Sequence, residues 1–154
     1  MDLTQDSTTW RVLIVDDEPD NLGLVSDVLE FSGAQTLTAR DGTRGLELVD
    51  TFKPNIILLD LGMPHLDGWE VHRRLRARAD LMNVPIVALT AMAMPDDVAR
   101  VRAAGFDAYI SKPFRVKGLL DDLRTCIQAT GEKMARENMA RENMARSVAA
   151  EQKH

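Results

Sequence analysis

Cysteine is nearly absent from this chain, since Cys126 is the only one among 154 residues. A single thiol cannot form an intrachain disulfide, so the fold depends on its core rather than on cross-links. Aromatic residues are also scarce, at 5% of the chain, and the core must therefore be mainly aliphatic. We interpret Cys126, which lies among apolar residues of a predicted helix, as a small buried hydrophobic residue rather than a redox group.

Long hydrophobic runs are missing as well. No apolar segment approaches the roughly 20 residues that span a bilayer, and residues 1–9 lack the hydrophobic segment of a signal peptide. We therefore predict a cytoplasmic protein without membrane association, with a disordered N-terminus at residues 1–9. The hydrophobic fraction of 45% and the charged fraction of 28% are typical of a soluble globular domain.

The chain also lacks a sustained basic surface. Its net charge is −5, and the acidic excess lies in residues 1–130. Proteins that bind nucleic acid directly present positive charge to the phosphate backbone, so nucleic acid is not expected as a ligand. One local exception is a basic cluster on a predicted helix, which we interpret as a solvated face rather than a binding patch: His72, Arg73, Arg74, Arg76 and Arg78.

Short apolar runs alternate with segments of helical periodicity. The strand-like runs cover residues 11–15, 34–39, 55–59, 85–89 and 107–111. Such alternation predicts an α/β fold, in which a doubly wound five-stranded parallel sheet carries helices on both faces. Asp41 and Gly42 read as a turn, with Thr43 as the cap of the second helix. The last helix is predicted to end near Gly131.

The segment 131–154 differs from the rest because Met-Ala-Arg-Glu-Asn occurs at 134–138 and again at 139–143. A five-residue step advances about 140° around a helix, so the methionines form no stripe and a coiled coil is not expected. Three Glu-Arg pairs have the favoured i,i+4 spacing: Glu132–Arg136, Glu137–Arg141 and Glu142–Arg146. We interpret 131–154 as a charged helical tail; a passive appendage, a partner-binding or dimerising arm, and a frayed coil all remain open.

Polar residues follow four of the predicted strands. They are Asp16 and Asp17, Asp60, Thr90, and Lys112. The carboxyl ends of parallel strands meet at one edge of the sheet, where open α/β folds bind their ligands. Three carboxylates crowded together repel one another unless a cation lies among them, and this mixture suits Mg²⁺ and a phosphoryl group.

Each of these residues has a chemical role in such a site. The carboxylate of Asp60 is the candidate nucleophile, which would hold a phosphoryl group as an acyl phosphate. Asp16 and Asp17 supply oxygen ligands for Mg²⁺. Lys112 can pair with a phosphoryl oxygen or with Asp60, and Thr90 can hydrogen-bond another oxygen. Phosphoryl transfer requires mainly positioning and charge stabilisation, which this small set provides.

With these motifs in place, the stretch from about residue 11 to residue 130 resembles a response-regulator receiver domain of two-component signalling, of the single-domain, chemotaxis-regulator type. The matching motifs are Val-Asp-Asp-Glu at 15–18, Leu-Asp-Leu-Gly-Met-Pro at 59–64, Asp-Gly at 67–68, Leu-Thr-Ala at 89–91, Gly-Phe-Asp-Ala-Tyr at 105–109 and Ser-Lys-Pro at 111–113. The resemblance implies a receiver domain at 10–130 with a flavodoxin-like fold and strand order 2-1-3-4-5.

The resemblance also implies roles for the metal and phosphoryl ligands. Asp60 would be the phosphoacceptor, and Mg²⁺ would be bound by Asp16, Asp17, Asp60 and the backbone carbonyl of Gly62. Thr90 and Lys112 would contact the phosphoryl group.

Two further features follow from the same resemblance. Tyr109 occupies the position of the aromatic switch residue, which turns inward when Thr90 moves toward the phosphate; a purely structural tyrosine is the alternative. The Lys112–Pro113 peptide bond is expected to be cis.

The function implied is that of a signalling switch. A sensor histidine kinase or a histidine phosphotransfer protein would donate to Asp60, and the chain would catalyse its own phosphorylation and dephosphorylation. The modification would alter contacts with a downstream protein target or promote a phosphorylation-dependent homodimer. We expect no output domain after Thr130. A phosphorelay intermediate that passes phosphate to a histidine phosphotransfer protein, and a phosphorylation-independent interaction module, are the alternatives.

Two rival classes share parts of this pattern. A phosphatase with an aspartyl nucleophile would need acids flanking one residue on a single strand end, whereas Asp16 and Asp17 are adjacent. A flavin mononucleotide carrier of the same fold would need hydroxyls and glycines in its first loop. The acidic residues at 16–20 would instead repel a phosphate.

Overall fold

Strands and helices alternate along the chain. The computed structural model describes residues 7–91 and 94–151, with backbone alone for 132–135, 137, 138, 141 and 146–151. The elements are β1 (Arg11–Val15), α1 (Pro19–Phe31), β2 (Gln35–Ala39), α2 (Gly42–Phe52), β3 (Ile56–Asp60), α3 (Gly68–Arg76), β4 (Ile86–Thr90), α4 (Pro95–Ala103), β5 (Ala108–Ser111) and α5 (Val116–Glu151). Short 3₁₀ helices occupy Ser7–Thr9 and Ala79–Leu81.

The five strands form one parallel sheet in the order β2-β1-β3-β4-β5. This confirms the predicted α/β architecture and strand order. Every residue of β3 and β4 is buried, because helices cover both faces of these central strands. The edge strand β2 has exposed positions at Gln35 and Thr38, which explains why its hydrophobic pattern is weak in the sequence.

The sheet separates the hydrophobic core into two layers. Alternate residues of β1 point to opposite faces, so Leu13 joins one layer and Ile14 the other. The first layer packs under α2, α3 and α4, with Leu75 of α3 as one of its buried members. The second packs under α1 and α5, where Leu29 and Leu123 are fully buried.

Aspartate side chains cap the N-termini of two helices. Asp41 accepts a hydrogen bond from the Arg44 amide at 2.7 Å and caps α2. Asp67 accepts one from the Glu70 amide at 2.9 Å and caps α3. Such caps satisfy amides that have no partner inside the helix. The predicted capping role of Thr43 is therefore wrong, since α2 begins at Gly42 and Asp41 already holds its first turn.

The N-terminal segment is ordered where the structure describes it. Ser7 is buried, and its hydroxyl donates to the Ser32 carbonyl at 2.9 Å. Trp10, which follows the short 3₁₀ helix, is also fully buried. The expected disorder of residues 1–9 therefore does not hold for Ser7–Thr9, and residues 1–6 lie outside the described part.

The last helix is much longer than the sequence suggested. α5 runs without interruption for 36 residues, so the predicted end near Gly131 is wrong, while the predicted helical tail is present as its continuation. A glycine inside a helix costs only about 1 kcal/mol relative to alanine, and the residues around Gly131 are good helix formers. Each of the three predicted Glu-Arg pairs includes at least one side chain that the structure does not describe, so these pairs stay predictions. Among the described residues, no helix has the length and apolar character needed to cross a membrane.

Candidate functional site

The strand register brings the predicted site residues to one edge of the sheet. Val15 pairs with Leu59, so Asp16 and Asp60 follow at the same level of neighbouring strands. Thr90 is the last residue of β4 and pairs with Ser111, directly before Lys112. The Lys112 amide donates to the Thr90 carbonyl at 2.8 Å, which fixes the loop after β5 against β4.

Lys112 connects the acidic residues of this edge. Its Nζ lies 2.9 Å from Asp16 Oδ2 and 3.3 Å from Asp60 Oδ1. The Glu18 carboxylate is more distant, at 4.0 Å, and largely exposed. One ammonium thus neutralises part of the charge of two buried carboxylates, which would otherwise repel each other.

Asp60 is buried, with 5% of its surface exposed. Burial is the main reason that its pKa is raised from the ordinary 3.8 to about 6; the amide of Gly62 opposes this shift, and the neighbouring charge of Asp16 adds to it. Lys112 lowers the pKa, whereas a hydrogen bond with Asp17 raises it. The carboxylate is therefore mostly ionised at neutral pH, but it titrates close to that range.

The Lys112 ammonium responds to the same environment. Burial favours its neutral form, but the contact with Asp16 and the attraction of Asp60 outweigh this effect and raise its pKa. Lys112 thus remains charged at physiological pH. A fixed positive charge beside the Asp60 carboxylate is suited to attract a phosphoryl oxygen.

The loop after β3 positions the Asp60 carboxylate from the backbone. The Gly62 amide donates to Asp60 Oδ1 at 3.2 Å, and the Leu61 amide donates to the Leu89 carbonyl at 3.2 Å. The first residue of α3, Gly68, lies directly against this strand end, because a Cβ there would be 2.2 Å from the Asp60 carbonyl oxygen. Only glycine allows α3 to begin so close to β3.

The acidic residues after β1 form a candidate metal centre. Carboxylate oxygens of Asp16, Asp17 and Glu18 lie within 4.8 Å of one another. Asp16 Oδ2 is buried, and it forms an ion pair with the Lys112 ammonium. Hard carboxylate oxygens of this kind fit Mg²⁺. Glu18, not assigned a role from the sequence, belongs to this cluster, whereas Asp60 joins it through Lys112.

The remaining predicted site residues lie around the same edge. Thr90 is buried at the end of β4. Tyr109 is half-buried and packs against the core layer under α2, α3 and α4. The Lys112–Pro113 peptide bond is cis, which confirms the prediction.

Cys126 lies outside this site. Its side chain is half-buried on α5. Burial raises the pKa of the thiol to about 11, so the reactive thiolate is nearly absent at neutral pH. This agrees with a packing role.

Glu18 and Gly68 are the contributions that the sequence reasoning missed. Glu18 directly follows the acidic pair, and its side chain also accepts a hydrogen bond from Asn21 at 2.9 Å. Gly68 follows the capping residue Asp67. The sequence shows only that a glycine stands at the start of a helix, and this is the one hint that α3 approaches β3 closely. That approach depends on the packing angle between α3 and the sheet, which no local pattern contains.

Comparisons with known proteins agree with this geometry. The chain matches the response regulator receiver domain family over residues 12–124. The polar-differentiation response regulator DivK of Brucella ovis is 37% identical over 117 residues, which cover 76% of this chain and 95% of that protein. The protein of the same name from Brucella anthropi is 37% identical over 114 residues, covering 74% and 93%.

Solved structures show the same likeness. The chemotaxis response regulator CheY4 of Vibrio cholerae superposes with a TM-score of 0.72 at 29% identity, covering 76% of this chain and 98% of that one. A CheY-like receiver domain protein from Methanospirillum hungatei gives 0.70 at 26% identity, covering 80% and 98%. The match of sequence, strand order and edge chemistry leads to one conclusion: the chain belongs to the response regulator receiver domain family.

Proposed function

We propose that this chain accepts a phosphoryl group on Asp60 from a phosphohistidine of a sensor histidine kinase or a histidine phosphotransfer protein. The observation that carries the proposal is the arrangement around Asp60: a buried carboxylate at a strand end, with the Lys112 ammonium 3.3 Å away. An acidic cluster that suits a divalent cation lies on the neighbouring strand. The family membership supports the same activity.

The transfer is a substitution at phosphorus. An Asp60 carboxylate oxygen forms the new O–P bond while the P–N bond of the donor breaks. The leaving imidazole keeps the bonding electron pair and takes up a proton from solvent. The raised pKa of about 6 leaves Asp60 ionised above that pH, so the nucleophile is available at neutral pH.

The other residues of the edge act on charge and orientation. We assign Mg²⁺ to Asp16, Asp17, Asp60 and the Gly62 carbonyl; when bound, it would offset the negative charge of the acids and the phosphoryl group. Lys112 would move its ion pair from the Asp60 carboxylate to a phosphoryl oxygen. The Thr90 hydroxyl, at the end of β4, would donate a hydrogen bond to another of these oxygens.

The output that we propose is a change in protein contacts. In this scheme Thr90 moves toward the phosphoryl group, and the half-buried Tyr109 turns inward and alters the surface of α4, β5 and α5. The downstream protein target, a phosphorylation-dependent homodimer, onward transfer in a phosphorelay and the cytoplasmic location all stay predictions.

Labelling by a small donor tests the proposal. The purified chain is incubated with phosphoramidate and Mg²⁺, and the intact mass is recorded over time. We expect a gain of one phosphoryl group in the wild type, none in Asp60→Asn, and slow labelling in EDTA. Full labelling of Asp60→Asn would refute the site assignment. Continuous release of phosphate from small phosphate esters would instead indicate a phosphatase.

Light scattering on a sizing column tests the output. The chain is measured with Mg²⁺, with and without beryllofluoride as a phosphoryl mimic. A shift from monomer to dimer would support self-association. An unchanged molar mass would support a monomer whose state is read by another protein, and identical binding of a partner with and without beryllofluoride would favour the phosphorylation-independent module.

A further inference from the structure

The basic cluster that the sequence placed on α3 is divided by the fold. Arg76 is largely buried; it pairs with Asp107 and donates to the Leu81 and Val84 carbonyls. Arg78 pairs with Asp50 and Asp80. Both arginines are therefore held by carboxylates of the chain itself, Arg76 in a largely buried pair and Arg78 in pairs at the surface.

The exposed part of the cluster is only partly neutralised. Arg73 and Arg74 share one carboxylate, that of Glu70, at 2.5 and 3.1 Å. Their side chains remain 70% and 51% exposed. Hydrogen bonds from Arg73 and then Arg74 lower the pKa of Glu70 to about 2, so this carboxylate is ionised at neutral pH, but its single negative charge cannot balance two guanidinium groups.

A groove between α3 and α4 lies beside these arginines. Its volume is about 480 Å³, and its lining residues are Trp69, His72, Arg73, Arg76, Ala77 and Ala104. The lining follows α3 from Trp69 to Ala77, the residue after its end, and is completed by Ala104, the residue after the end of α4. Because both helices run antiparallel to the strands, the end of the groove at Ala77 and Ala104 is directed away from the edge that holds Asp60, whereas Trp69 lies at the end nearer to that edge.

Aromatic rings give the groove an ordered floor. His72 stacks on Phe106 with ring centroids 4.0 Å apart, and Trp69 meets Phe106 edge-on at 5.7 Å. The Arg100 guanidinium of α4 lies over the Trp69 ring, 4.3 Å from its centroid. Arg100 forms no ion pair with a described carboxylate, so its charge adds to that of Arg73.

His72 leaves a polar atom of this floor without a partner. The residue is 3% exposed, and its Nε2 accepts no hydrogen bond from any described residue. Burial, together with the charge of Arg76, lowers the pKa of the ring, which therefore stays neutral at physiological pH. The neutral ring therefore contributes a stacking surface beside Phe106 to the floor of the groove.

The groove is a positive surface on a negative protein. The four guanidinium groups around it, from Arg73, Arg74, Arg76 and Arg100, face two carboxylates, those of Glu70 and Asp107. The chain as a whole carries −5. The acids at the start of α4, Asp96 and Asp97, precede Arg100 by four and three residues, about 4.5–6 Å along the helix, and they reduce the positive charge at that side of the groove.

We propose that the α3–α4 groove is a docking site for an acidic segment of a partner protein, whose carboxylates pair with Arg73 and Arg100 while an apolar side chain rests on Trp69. Binding there leaves the Asp60 edge open to the phosphoryl donor. A nucleic acid is disfavoured, because its continuous phosphate charge would approach a chain that is acidic outside this patch.

The test uses the full chain and a defined probe. The probe is a fluorescein-labelled peptide of three Glu-Glu-Leu repeats, measured by fluorescence anisotropy, with a Gln-Gln-Leu peptide as its uncharged match. Arg73→Gln with Arg100→Gln removes the charge of the groove. Arg44→Gln with Arg124→Gln removes the same charge from α2 and α5, where both arginines form exposed ion pairs. Ala104→Glu introduces a carboxylate at the exposed end of α4.

The expected pattern is specific to the groove. The acidic peptide should bind more tightly than its glutamine match, and the groove double variant should weaken binding by about five- to tenfold, as expected for two guanidinium–carboxylate pairs. The control double variant should change it less than about twofold, and Ala104→Glu should weaken binding without lowering the unfolding temperature. Equal losses in both double variants, or equal binding of both peptides, would overturn the proposal. So would tighter binding of a single-stranded oligonucleotide at the same groove.

Discussion

Replacing Gly68 with alanine should destabilise the protein, because α3 begins in direct contact with the end of β3. An added Cβ would lie 2.2 Å from the Asp60 carbonyl oxygen, 2.8 Å from Leu61 Cα and 2.9 Å from the Asp60 carbonyl carbon. All three atoms belong to the backbone, so no flexible side chain can move away. Overpacking commonly costs about 1–3 kcal/mol, and we expect a value near the upper end.

The matched control is Gly23→Ala in the middle of α1. Apart from the adjoining residues and backbone of α1 itself, no described atom lies within 4 Å of a Cβ at that position. Alanine is the better helix former, so this variant should be more stable than the wild type by about 0.4–1 kcal/mol. The same chemical change is thus expected to have opposite signs at the two sites.

Urea unfolding followed by tryptophan fluorescence measures both effects. Buried Trp10 reports the loss of the fold, and a constant slope against urea would show that only stability has changed. The Gly68→Ala protein should also be phosphorylated more slowly at Asp60 by phosphoramidate. The added methyl group would push α3 and the end of β3 apart and so displace the Asp60 carboxylate. A Gly68→Ala protein with the wild-type midpoint would refute the close-approach argument.

Three further changes test the charges of the molecule. Asp60→Asn removes a charge whose burial opposes folding, so in EDTA at pH 8 the free energy of unfolding should rise by about 1–3 kcal/mol. That gain should disappear as the pH falls through about 6 towards 4, because the folded wild type takes up its proton first; a gain independent of pH would contradict the raised pKa. Lys112→Met leaves Asp16 and Asp60 without their shared ammonium; urea unfolding should show a larger loss of stability at pH 8 than at pH 5, and an equal loss at both would count against the ion-pair role. Arg76→Gln breaks a buried pair that also holds two carbonyls and should cost about 3 kcal/mol in urea, against less than about 1 kcal/mol for Arg44→Gln at an exposed pair; similar losses would show that burial of Arg76 is unimportant.

The central strands could be predicted closely because their side chains are buried on both faces. The apolar runs at 11–15, 55–59 and 85–89 agree with β1, β3 and β4 within one residue. The ends of the helices could be predicted less closely from the sequence. The start of α2 depends on the Asp41 side chain reaching the Arg44 amide. The passage of α5 through Gly131 depends on the helix-forming residues on both sides.

The members of the site could be predicted, but their mutual arrangement could not. A strand end followed by an acid, a threonine or a lysine is visible in the sequence. That Lys112 contacts Asp16 and Asp60 together depends on the register of strands that are distant in the chain. Which of the arginines near the end of α3 is buried could not be predicted for the same reason. Arg76 pairs with Asp107, which lies in the loop before β5 and is distant in the chain.

The continuity of α5 has a consequence for anything attached to its far end. Residues 131–151 extend the helix by about 31 Å at 1.5 Å per residue, so a group at Glu151 has a fixed height and a fixed azimuth. A flexible chain of the same length would instead distribute that group over a broad cloud. Deleting one Met-Ala-Arg-Glu-Asn repeat would shorten the extension by about 7.5 Å and rotate its end by about 140°. The number of repeats therefore sets both the reach of the helix and the direction in which its end faces.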